Sequence, residues 1–434
     1  MKTDEGLRRQ IGLGGLTANI LNTVIGAGIF VLPAVVSKDL GAAGLLAYLF
    51  CGFLMTMILL CFAEVGSRVT VTGGAYAYIE AAFGKYAGFI TTNLFIIGAS
   101  LMATAAVANA VADTLAYPFP LFADKGVRAV FFVLLFAGLT IINVRGVTHG
   151  VNLVKATTLA KLAPLLLFIC WGAMHIEGRS LSWQEAPGWE SFGKVSLLLF
   201  FAFQGAENSL SVSGEVKNPQ KTIPYSILLS TACVLVIYIA VQLVAQGVLG
   251  NSLADFKGAP LAEAARKIMG PIGKPLMLTG AAVSMFGYLS SDVLNMPRVI
   301  FRSAKDRVIP VEALARVHPR FATPHVSVIV FTALGCFLSI AGGFRQLAVL
   351  STASVLLIYL GVALAFIKLR RRPDAAASFK LPGGYAVPLI SILIIGWFLT
   401  NLAKREWIGM LIFLAVLSGV YFIMQFFPKG RKPR

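Results

Sequence analysis

Apolar stretches of about 20 residues recur from one end of this 434-residue chain to the other, and each is long enough to cross a hydrocarbon core of about 30 Å. The windows run over 13–36, 42–65, 88–112, 127–146, 154–175, 192–213, 223–248, 275–297, 325–342, 347–367, 386–402 and 407–427. Twelve such windows predict an all-α integral membrane protein and leave no room for a separate soluble domain. Composition agrees: 57% of residues are hydrophobic and 13% charged, against roughly a quarter charged in an ordinary soluble domain.

The formal charge of +18 would suggest nucleic acid in a soluble chain. Here the positive residues, Lys161 apart, fall between the apolar windows or at their ends. With both termini on the cytoplasmic side, twenty-four of the thirty-seven lysines and arginines lie inside and twelve outside. That excess on the inner side sets the orientation, so a nucleic-acid partner is not expected. The remaining one, Lys161, lies within the fifth window. The basic N-terminus precedes an apolar run too long for a signal peptide and without a small-x-small cleavage site, so it reads as a retained first helix.

The five cysteines, Cys51, Cys61, Cys170, Cys233 and Cys336, are odd in number and unpaired in spacing, which indicates neither a disulfide framework nor a metal site. No His-Glu-x-x-His motif or nucleophile–base pair is present, so neither an enzyme nor a cofactor is expected. A channel would need a continuously polar pore.

Two windows are interrupted. The first carries Ile25-Gly26-Ala27-Gly28-Ile29-Phe30 and the sixth Phe203-Gln204-Gly205-Ala206-Glu207-Asn208-Ser209. Glycine lowers the cost of leaving helical geometry, and polar groups at mid-membrane need a cavity or a ligand. Five windows separate the breaks, the arrangement of an inverted repeat whose binding site lies between discontinuous helices. Domain boundaries follow: a cytoplasmic N-terminus 1–12, five-helix repeats 13–180 and 190–370, two further helices over 386–427, and a basic tail 428–434.

These residues resemble the amino acid/polyamine/organocation (APC) transporter superfamily along nearly the whole chain. The first window is similar to that family's Ile-Gly-x-Gly-Ile-Phe element, and Phe200 to Gly205 with Glu207 to its Phe-rich sixth segment. The loop Glu215-Val216-Lys217-Asn218-Pro219 is the most specific likeness. Thr72-Gly73-Gly74-Ala75-Tyr76-Ala77-Tyr78 and Ser303-Ala304-Lys305-Asp306 resemble two further family loops. Thr70 and Arg307 depart from the family's proline and glycine, which leaves the subfamily open.

The resemblance implies an APC (LeuT-like) fold in which spans 1, 3, 6, 8 and 10 enclose the site and spans 11 and 12 lie outside. It places a substrate carboxylate on the amides of Gly26, Ala27 and Gly28, beside Ile25, where a half-helix N-terminus favours negative charge. The substrate amine would meet carbonyls around Phe201, Phe203 and Gln204, next to Gly205, with Phe201 as an aromatic gate.

Lysine at the centre of a membrane helix is charged about 2.5–3.5 kcal/mol on insertion scales, so Lys161 calls for a use. Some sodium-independent family members carry a lysine here in place of a sodium ion. Lys161 is therefore expected to couple transport to protons, with Ser284 beside its ammonium. Glu207 is singled out as the other intramembrane ionisable group, for a cationic substrate end, a coupled proton or a bond to the unwound backbone. The expected function is secondary active amino acid transport across the cell membrane by alternating access, proton-coupled and sodium-independent. Exchange, and efflux of a polyamine or amino acid, stay open beside it. Expected partners are a small-molecule substrate, protons and membrane lipid.

Overall fold

The computed structural model describes residues 11–69, 74–145, 148–182, 187–210, 216–306, 308–309, 311–321, 323–371, 379–381 and 383–426. Thr70, Thr72, Gly73, Glu215, Arg307 and both basic tails of the sequence reading lie outside them. The described residues are nearly all helical, joined by turns and one isolated bridge between Ile11 and Val216.

In chain order the α-helices are α1 (Leu13–Val24), α2 (Gly28–Leu40), α3 (Gly44–Arg68), α4 (Ala75–Phe83), α5 (Lys85–Asn93), α6 (Met102–Ala116), α7 (Lys125–Arg145), α8 (Thr148–Gly172), α9 (Trp189–Leu199), α10 (Ala206–Leu210), α11 (Pro219–Leu249), α12 (Pro260–Met269), α13 (Gly273–Lys305), α14 (His325–Ala341), α15 (Phe344–Arg370), α16 (Ala386–Thr400) and α17 (Lys404–Phe426). The described residues of each apolar window are mostly helical. Among the described residues, the helical stretches 28–68, 85–116, 125–145, 221–255, 344–370 and 404–424 are long and apolar enough to cross a membrane, and 160–175, 325–341 and 386–400 are shorter apolar helices.

Exposure is organised for lipid rather than water. Leu134, Val130, Phe337 and Leu393 point outward and are more than half exposed, while Lys161, Glu207, Asp292, Gln242 and Thr104 are buried. An apolar exterior around buried polar groups is stable only where the solvent is hydrocarbon, because polar groups there must find partners inside the protein.

Helices α1, α3 and α11 pack together, as do α8 with α13 and α6 with α15. Three features had no counterpart in the sequence reading. The short helices α4 and α12 lie between the long ones, and Leu94–Leu101, between α5 and α6, is a π-helix. Its i→i+5 bonding shifts the helical register, and such segments gather at functional sites.

Two clusters tie the bundle ends. Glu64 on α3 pairs with Arg68 (2.9 Å) and Arg370 (3.5 Å) and accepts the Leu381 amide at 2.7 Å. At the far end of α6, Glu263 on α12 accepts the Tyr117 hydroxyl and pairs with Arg266 (2.7 Å) and Lys274 (3.2 Å). Burial pushes the Glu263 carboxyl up, but the bonds from Tyr117, Arg266 and Lys274 outweigh it and hold the group below its usual value.

Candidate substrate cavity

Helix α1 ends at Val24, and α2 restarts at Gly28. Helix α9 tightens into a 3₁₀ turn over Phe200–Phe203 before α10 begins at Ala206. The two breaks lie against each other. A Cβ on Gly28 would come within 2.6 Å of the Ala202 Cβ and 2.9 Å of its Cα, so only glycine permits this approach. Gly205 adopts φ +111°, which L side chains rarely adopt.

Breaking a helix frees carbonyls at one end and amides at the other. At the end of α1, the Lys161 ammonium donates to the carbonyls of Asn22 (2.6 Å) and Ile25 (2.7 Å). The Ser284 hydroxyl donates to the Gly26 carbonyl at 3.1 Å. A cation at a helix C-terminus is favoured by the helix dipole; here it sits on a side chain only 3% exposed.

The second break is held by a carboxyl group. At the start of α10, Glu207 Oε2 accepts the Gly205 amide at 3.0 Å and the Tyr359 hydroxyl at 2.6 Å. The Tyr238 hydroxyl of α11 spans both breaks, 3.2 Å from the Val24 carbonyl and 2.8 Å from that of Ala202. By contrast, no side chain caps the N-terminus of α2.

A cavity of about 40 Å³ lies between the breaks, and Gly26, Ala27, Gly28, Phe201, Gln204, Gly205 and Glu207 line it. The π-helix contributes Phe95, Ala99 and Ser100, α13 contributes Tyr288, and α15 contributes Ser351. Gln204 donates to the Thr352 hydroxyl at 2.7 Å. Phe201 stands edge-on to Phe344, ring centroids 5.9 Å apart.

Four expected site residues lie behind this lining. Ile25 contributes its carbonyl to Lys161, and Lys161 and Ser284 hold the break from outside the cavity. Phe203 packs on Tyr238, centroids 5.2 Å apart, in an aromatic cluster with Tyr48.

One reading is corrected here: Lys161 and Glu207 are not the whole intramembrane set. Asp292, in the middle of α13, is 6% exposed and accepts the hydroxyls of Ser100 (2.7 Å) and Thr104 (2.5 Å). Its position within the eighth apolar window was signal enough, since an ionisable residue at membrane depth marks function by default. Tyr238, Tyr288 and Tyr359 carried no such signal, because amphipathic aromatics are ordinary in membrane helices.

Fold and site together define a multi-pass helical membrane protein with a cavity between two broken helices. The chain belongs to the amino acid permease family, whose model matches residues 11–433, and this bears out the superfamily resemblance. Relatives include the serine/threonine exchanger of Bacillus subtilis (strain 168), 29% identical over 398 residues that cover 89% of this chain and 88% of that protein. The methylthioribose transporter of the same organism is 28% identical, covering 96% of this chain and 94% of its own length. A branched-chain amino acid permease, also from B. subtilis, is 25% identical over 97% and 94%.

Proposed function

We propose that this chain is a secondary active amino acid transporter that works by alternating access, coupled to protons and independent of sodium. The observation that carries the reading is the pair of facing breaks around the cavity: the first holds a tethered cation at the end of α1 and leaves the amides at the start of α2 uncapped, and the second is capped by Glu207. The amides of Ala27 and Gly28 suit a substrate carboxylate, and the freed carbonyls around Phe201 suit its ammonium. Phe201 acts as the aromatic gate, and Ser284 steadies the break on which Lys161 sits.

Lys161 fills the volume a sodium ion would need, and its protonation ties the order of the first break to the proton gradient. Glu207 caps the second break and is the further candidate for the coupled proton. The chain crosses the cell membrane twelve times, with both termini cytoplasmic. The segments 13–180 and 190–370 form inverted repeats, and α16 and α17 stand outside them. Exchange is the second reading, favoured by the named activity of the B. subtilis exchanger. A polyamine, lacking a carboxylate, would leave the α2 amides unused.

Uptake of a radiolabelled amino-acid panel into proteoliposomes tests this, under an imposed proton gradient and then a sodium gradient. Proton-driven accumulation without sodium supports the reading. Transport seen only with substrate preloaded on the opposite side replaces symport with exchange, and no transport of any amino acid refutes the substrate class.

A further inference from the structure

Asp292 poses a problem that the cavity described so far does not solve. A carboxylate at membrane depth needs a counter-charge or a proton. Among the described residues, no basic side chain bonds to it; its partners are the hydroxyls of Ser100 and Thr104, both on Oδ2. The π-helix and α6 thus present only hydroxyls to it. Tyr288, one turn away on α13, lies within electrostatic reach of both Asp292 and Glu207 of α10. Lys161 on α8 is turned to the Asn22 and Ile25 carbonyls. Helices α7, α12 and α14 carry their charged or histidine residues near their ends: Lys125, Arg128 and Arg145; Glu263, Arg266 and Lys267; His325.

We propose that Asp292 is a proton-binding residue of the transport cycle, whose protonation state Ser100 relays to the substrate cavity by reversing the direction of its hydroxyl. The inference rests on the transporter reading above and adds a third titratable group to Lys161 and Glu207. Ser100 is the link because it both lines the cavity and bonds Asp292. While Asp292 is ionised, the Ser100 proton is committed to Oδ2, and the cavity meets only serine lone pairs with a negative charge behind them. That state favours N–H donors and cations.

Protonation at Oδ2 reverses one of the two hydroxyl bonds and frees a hydroxyl to donate; protonation at Oδ1 weakens both. A cavity so changed accepts carboxylates and other acceptors more readily. The proton enters from water on whichever side the cavity opens to and leaves to water on the other. Protonation forms one O–H bond on the Asp292 carboxylate and breaks one in hydronium, release reverses it, and no other covalent bond changes. A directly bound cationic substrate end is disfavoured as the counter-charge, because Ser100 and Tyr288 line the cavity and Asp292 does not.

The test measures the KM for a transported amino acid against pH, with equal pH on both sides of the proteoliposome, in the full-length protein and in Asp292→Asn. The wild-type KM is expected to change severalfold with pH, and Asp292→Asn to flatten that dependence, leaving only the share of Lys161 and Glu207, while still transporting. Ser100→Ala, which keeps the acid but removes the relay, is expected to flatten the profile too, and it carries the test if Asp292→Asn does not fold. A wild-type KM that ignores pH overturns the proposal, as does an Asp292→Asn profile that matches wild type. An unchanged profile with an altered preference between cationic and neutral amino acids would instead make Asp292 a fixed charge of a substrate subsite. Wild-type transport is the control: its absence would sink the transporter reading itself, whereas its presence with unaltered pH profiles sinks only the role of Asp292.

Discussion

The two helix breaks are alike in geometry and opposite in chemistry. At the first, a cation from another helix, Lys161, gathers the carbonyls of Asn22 and Ile25. At the second, an acidic group on the restarting helix itself, Glu207, gathers the Gly205 amide and the Tyr359 hydroxyl. Each group, when charged, has the sign that the exposed helix end prefers. The difference lies in which helix carries the group: Lys161 comes from α8, 139 residues from Asn22, whereas Glu207 belongs to the restarting helix and Tyr359 of α15 braces it. The first is therefore the better placed to respond when helices move against one another.

The comparison is broken or sharpened by substitutions of decreasing effect. Lys161→Ala strands two buried carbonyls, each unsatisfied group costing about 1–3 kcal/mol, so proton-driven accumulation should fall by about tenfold or more. Unchanged accumulation would remove the lysine from the mechanism. Gly28→Ala drives a methyl into Ala202 at about 1–3 kcal/mol, the usual penalty for overpacking; a lowered melting temperature with lost substrate binding is expected. An unaffected protein would mean that the breaks part easily.

Glu207→Gln keeps an oxygen to accept from Gly205 and Tyr359, so a stability change within about 1 kcal/mol is expected, with exchange largely retained. A loss as deep as that of Lys161→Ala would show both breaks to be charge-dependent and erase the distinction. The smallest effect belongs to Tyr238→Phe, which removes the hydroxyl shared by Val24 and Ala202 and should cost about 0.5–1.5 kcal/mol in thermal unfolding.

The long helices were legible because hydrophobic length is a property of the chain itself. The breaks were legible because Gly26, Gly28, Gln204 and Glu207 contradict their apolar surroundings. Lys161 announced itself by the same contrast. What escaped depended on partners distant in sequence. The place of Asp292 within the eighth window was legible, but its partners were not, since only folding brings Ser100 and Thr104 to it. The π-helix over Leu94–Leu101 is a matter of hydrogen-bond register with no composition of its own. Phe203 looked like its neighbour Phe201 in sequence, yet the 3₁₀ turn gives them different faces, one toward Tyr48 and Tyr238 and the other toward the cavity.

The ammonium of Lys161 is also a ligand that cannot diffuse away. A free ion at the end of α1 would be governed by its concentration in the medium. A tethered one acts at an effective concentration fixed by the helix that carries it. On the proposed function, the organisation of the first break is thereby insulated from the ion concentration of the medium.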